Sequence, residues 1–165
     1  VNRKGQAAME YLMTYGWALL VIVIVIAVLI VMNPLKPAAQ CLFDQPGFAC
    51  NQPSVPVITA STGMLNGKLT NGQQATIKIY NVTCTDSRTA PASPTFVAEA
   101  NAVKITSEAQ AELNTMFGGV KCLKGTALVG AEDFNGKLYV FYKFADDAST
   151  YPMRSVSANL VTKGQ

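Results

Sequence analysis

The sequence predicts an α+β chain, with a long hydrophobic N-terminal α-helix followed by an antiparallel β-sandwich. Three observations predict it. No charged residue occurs from Tyr11 to Met32, and nothing polar from Trp17 onward. Beyond Pro34 the composition turns to Thr, Ser, Asn, Gly and Ala, in short alternating segments punctuated by turn dipeptides. Four cysteines, Cys41, Cys50, Cys84 and Cys122, all lie in that second region.

The first element is the apolar run. As a helix, Tyr11 to Met32 extends about 33 Å, enough to cross a hydrocarbon core. The stretch "LLVIVIVIAVLIV" is rich in β-branched residues and resembles a buried strand in composition. Its length decides for a helix, because in lipid only a helix satisfies its own backbone hydrogen bonds within one segment. Asn33-Pro34 is expected to end it, since the residue before a proline is driven out of the α region. A secretory signal fits Arg3-Lys4 but not the length of the run, and no small-residue cleavage site follows. Glu10 is the anomaly. A carboxylate at mid-bilayer costs about 2.5–3.5 kcal/mol on insertion scales, so such a group calls for a partner.

In the second region, "ATIKIYNV" alternates, with Ile77 and Ile79 on one face and Lys78 and Tyr80 on the other. Asn66-Gly67 and Asn71-Gly72 read as tight turns. "ALVGAEDFNGKLYVFYKF" reads as a hairpin, with strands over residues 126–129 and 138–144 and a loop through Asn135-Gly136. "FVAEANAVKI" and "SVSANLVT" supply two more strands. "SEAQAELNTMFGG" reads as a short helix, with Ser107 and Gln110 at capping-box spacing and Gly118 as its stop. "TCTDSRTAPASPT" is an exposed connection.

The cysteines are too far apart for a CxxC zinc site. An even number beyond a membrane segment reads as two disulfides formed in an oxidising compartment. Three connectivities are open. The short loop "CLFDQPGFAC" favours Cys41–Cys50, with Cys84–Cys122 as the second pair, and four reduced thiols are the alternative. Asn81-Val82-Thr83 is an N-glycosylation sequon, which makes Asn81 a candidate glycan site.

Several function classes are disfavoured. Histidine is absent, which removes Ser-His-Asp and Cys-His catalysis and the commonest metal ligand. Glu132-Asp133 and Asp146-Asp147 read as solvated turn carboxylates, with no EF-hand loop around them. A net charge of +3, scattered along the chain, gives no footprint for nucleic acid. No catalytic residue, cofactor or metal is expected.

The amino-terminal stretch "RKGQAAMEYLMTYGWALLVIVIVIAVL" resembles the class III signal peptide of archaeal type IV pilin precursors. The resemblance covers about a fifth of the chain. "GFAC" and "NGQQATIKIYNVTC" resemble pilin head domains more loosely. It implies residues 1–5 as a leader, cut by a prepilin peptidase between Gly5 and Gln6. Glu10 would become the fifth mature residue. It further implies a helix over 6–33, transmembrane before assembly and filament core after, a Pro-rich hinge at 34–40 and an extracellular β-rich, Ig-like head at 41–165. The implied partners are further copies of the chain, the prepilin peptidase and the pilus assembly machinery, and the cytoplasmic membrane before assembly. The implied use is adhesion by a cell-surface filament. Glu10 would pair with the α-amino group freed at Gln6, on its own or a neighbouring subunit. Ala7, Ala8, Gly16 and Ala18 permit close helix approach. An archaellin-like subunit, or a membrane-anchored binding protein that never polymerises, are the alternatives.

Overall fold

The computed structural model describes residues 3–32, 37–50 and 53–165, with side chains from residue 9 onward. Two compact units result, Val1–Pro37 and Ala38–Gln165.

The first unit is a single helix, α1, Arg3–Met32. Its β-branched run is helical, as length rather than propensity dictates. From Met9 to Met32 it is long and apolar enough to cross a membrane. Its apolar side chains are exposed on every face, so it has no amphipathic stripe of its own to bury. The expected stop at Asn33-Pro34 and the first part of the 34–40 hinge lie outside the described residues.

The second unit is mostly β. In chain order its strands are β1 (Gln40–Phe43), β2 (Phe48–Ala49), β3 (Val57–Thr59), β4 (Met64–Asn66), β5 (Lys68–Asn71) and β6 (Ile77–Thr85). They continue as β7 (Val103–Ile105), β8 (Gln110–Glu112), β9 (Cys122–Lys124), β10 (Ala127–Leu128), β11 (Asp133–Phe144) and β12 (Arg154–Lys163). The main sheet runs β1-β12-β11-β6-β9-β10, and β7 also pairs with β6. β2, β5 and β8 form a three-stranded sheet, and β3 with β4 a two-stranded one.

The long strands follow their alternation. In β11, Phe134, Leu138, Val140 and Tyr142 enter the core, where Ile77 and Ile79 of β6 and Val156, Ala158 and Leu160 of β12 meet them. The short sheets supply Ile58, Leu65 and Leu69 to the same cluster. Two buried side chains among the described residues are polar: Thr162, whose hydroxyl donates to the Pro56 carbonyl, and Asn71, fully buried at the end of β5. Its amide donates to the carbonyls of Ala75, Ile105 and Thr106, and its oxygen accepts from the Gln73 amide. Asn71 thus supplies backbone partners where the chain leaves the sheet.

Five expectations need correction. The sheet is mixed rather than wholly antiparallel, because β6 and β9 run parallel with Cys84 opposite Cys122. The expected hairpin does not exist: β10 pairs with β9, and β11 passes straight through Asn135-Gly136 against β12. Gly136 is required by close approach instead. A Cβ there would lie 2.4 Å from the Thr85 carbonyl oxygen and 2.5 Å from the Phe134 ring. The expected helix in 107–118 is strand β8 followed by a 3-10 turn at Met116–Gly118. The Ser107 hydroxyl donates to the Gln73 carbonyl rather than capping a helix, and Glu108 sits at φ 60°. Nor is "FVAEANAVKI" one strand. A 3-10 turn at Glu99–Asn101 precedes β7. Asn66-Gly67 joins β4 to β5 without making them a hairpin, since β4 pairs with β3 and β5 with β2 and β8.

Candidate functional site

The helical unit carries the first candidate residues. Gly5 and Gln6 lie inside α1, whose first described residue is Arg3. Glu10 follows Gln6 by four positions, hence on the same face about one turn on. Its side chain is exposed and its backbone carbonyl accepts the Thr14 hydroxyl at 2.9 Å. Tyr11 and Tyr15, again four apart, hold their ring centroids at 4.2 Å. With Trp17 they put three exposed aromatic rings at one end of the apolar span, where interfacial aromatics lie in membrane helices.

In the β unit, the cysteines form two disulfides, the pairs favoured from the sequence. Cys41–Cys50 (Cα–Cα 5.7 Å) closes the turn between β1 and β2. Cys84–Cys122 (Cα–Cα 4.5 Å) crosses from β6 to its parallel neighbour β9. All four residues are buried.

The sequon lies within β6. Asn81 stands opposite Phe141 beside a β-bulge, where the pairing of β6 with β11 shifts register. Its amide donates to the Thr95 carbonyl, and its oxygen accepts the Thr83 hydroxyl at 3.0 Å. Asn81 is half-buried.

Thr95 ends the exposed connection expected after β6, and that connection also serves as a strap. Residues 86–98 have no regular structure, yet Ser87, Phe96 and Val97 are held against β6 and β11. Phe96 packs edge-on to Phe141, with centroids at 5.5 Å. The Val97 amide donates to the Tyr80 carbonyl, and the Tyr139 hydroxyl to the Ser87 carbonyl. The strap accounts for the burial of Tyr139 and Phe141, which the alternation of β11 places opposite the core. That second set of aromatics was the available signal.

Charged groups on this unit act as fasteners. Asp44 accepts from Lys137 (2.9 Å), Ser157 (2.5 Å) and Asn159 (3.0 Å), tying the β1–β2 turn to β11 and β12. Those donors, Ser157 first and Lys137 next, hold its carboxyl below the usual aspartate range. Glu99 accepts from Lys78 at 2.6 Å and from the Tyr80 hydroxyl. Burial, and then the Glu99 bond, push Tyr80 up to about 12. Glu132 pairs with Lys124 and Asp147 with Arg154. Among the described residues, no three Cys, Asp or Glu side chains converge in a way that could hold a metal ion. The acidic pairs expected as turn residues are therefore ion-pair members in part, with Asp133 opening β11. Comparison with protein-family models, with curated proteins and with solved structures returns no match to this chain.

Proposed function

We infer that the chain is a structural subunit of an archaeal type IV pilus, polymerising through α1 into an extracellular filament used for adhesion. The β unit, as a pilin-type sandwich head, forms the filament's outer surface. One observation carries this reading: an uninterrupted helix, apolar on every face, with the "RKGQ" and Glu10 pattern at its start. A surface of that size is stable in lipid or against copies of itself, and unstable in water. The exchange between those two environments is what assembly from a membrane requires. Two disulfides in the β unit support an oxidising destination.

A single-pass anchored binding protein would use the same span, so the test must separate them. Cells are sheared, filaments are pelleted and the pelleted chain is sequenced from its amino end. The expected result is filaments containing this chain, beginning at Gln6. Recovery from membranes alone, with residues 1–5 still attached, overturns the proposal.

A further inference from the structure

A recess of about 210 Å³ opens beside the sequon, lined by Asn81, Thr95, Phe117, Gly119 and Lys121 among others. Phe117 is its unusual member. It is 37% exposed and adopts φ 54°, ψ 29°, a left-handed conformation that a side chain this bulky rarely takes. Gly118 and Gly119 follow with φ of 79° and 100°, so three consecutive residues turn the ring outward at the recess. Strain of this kind persists where the surroundings hold it, and it concentrates at binding surfaces. Lys121 is exposed, and its backbone is fixed by a bridge to Met64.

We propose that this recess is the seat of an N-linked glycan on Asn81, with the first sugar lying against the Phe117 ring. The apolar C–H face of a pyranose packs on an aromatic face, and the Lys121 ammonium can donate to its hydroxyls. The bond from Asn81 to Thr95 is compatible with the linkage. A side-chain amide has two N–H donors; glycosylation consumes one and leaves the other for the Thr95 carbonyl. The Thr83 hydroxyl already donates to the Asn81 oxygen at 3.0 Å, which orients the amide. In the transfer, Nδ2 attacks C1 of a lipid-linked, phosphate-activated sugar and the N–C1 bond forms. The C1–O bond breaks with its electron pair leaving on the phosphate, and the amide proton passes to a base of the transferase. Seated sugar and strap then share one attachment point, so the modification fastens residues 86–98 to the sheet.

The inference needs export of the β unit but not polymerisation. A solitary, glycosylated membrane protein would preserve it while removing the filament.

The test uses the full chain in detergent, purified from the native host and from cells lacking the transferase, each with and without Phe117→Ala. Mass spectrometry of the peptide containing Asn81 comes first, and an unmodified peptide from the native host overturns the proposal. Thermal melting then gives the coupling. Phe117→Ala is expected to lower the midpoint of the glycosylated chain by several degrees more than that of the unglycosylated chain. Equal shifts in both backgrounds mean the sugar does not sit on Phe117 and overturn the seat. If the glycosylated variant is too unstable to purify, proteolysis within 86–98 of the two wild-type preparations decides. Faster cleavage without the glycan supports the seat, and equal rates refute it.

Discussion

Removing Cys84–Cys122 should cost the β unit more than removing Cys41–Cys50, by an amount set by loop length. The bridges span sequence separations of 38 and 9 residues. Chain-entropy scaling then gives about 4 kcal/mol for the longer loop and about 2.6 kcal/mol for the shorter. The longer bridge also joins β6 to β9 where only two residue pairs are in register, so little else holds that parallel contact. The perturbation is a double substitution to alanine at each bridge in turn, compared with the intact chain. Trp17 lies on α1, so tryptophan fluorescence reports the wrong unit. Near-ultraviolet circular dichroism of the buried Tyr80, Tyr139 and Tyr142 follows the β unit instead. In guanidinium titrations the midpoint should fall further for Cys84→Ala/Cys122→Ala. Its thermal midpoint should drop by roughly 15 °C for a unit of this size. A loss below about 1 kcal/mol, or a larger loss for the Cys41–Cys50 pair, would refute loop closure as the main source of the stabilisation.

Gly164→Ala should destabilise by about 3 kcal/mol or more, because its Cβ would come within 1.8 Å of the Gly130 carbonyl oxygen, which is backbone and cannot swing away; a melting curve matching the wild type would show that this contact relaxes freely. Asp44→Asn should flatten the acid limb of the stability curve. The folded carboxyl sits below its ordinary value of 3.8, so its contribution is full above that value and is lost as pH falls through the lower folded value. Identical slopes below pH 4 for wild type and variant would remove Asp44 from the acid transition. Glu10→Gln should leave membrane insertion intact yet abolish or sharply reduce sheared filaments; normal filament yield would refute charge pairing at the start of α1.

The helix was legible because an uncharged run from Tyr11 to Met32 has one solution in lipid, whatever its β propensity. Strand β12 was legible for a similar reason, since its alternation matches the pleat along its ten residues, whereas in β6 the alternation read from Ile77 and Ile79 slips by one residue at the bulge before Asn81. Asn135-Gly136 misled because the same dipeptide serves two purposes. Its glycine admits the Phe134 ring and the Thr85 carbonyl within a strand, and nothing local distinguishes that from a turn. Residues 107–118 contain good helix formers, but β8 gains partners only through β5, some forty residues earlier. Tertiary pairing outweighed propensity there. Of the candidate residues, the cysteine pairs could be favoured from spacing, whereas the recess beside Asn81 depends on Thr95 meeting the Phe117–Lys121 segment, which lies more than twenty residues further on.

The placement of Cys41–Cys50 has a mechanical consequence. Tension applied to the chain ahead of Ala38 enters the β unit through β1, a four-residue edge strand held by antiparallel bonds to β12. Unbuttressed, so short an edge would peel away. The crosslink at Cys41 diverts the load one residue inside that strand into the Phe48–Cys50 segment, and Asp44 spreads it to β11 and β12. A pulling experiment should find the first rupture after chemical reduction at markedly lower force than before it.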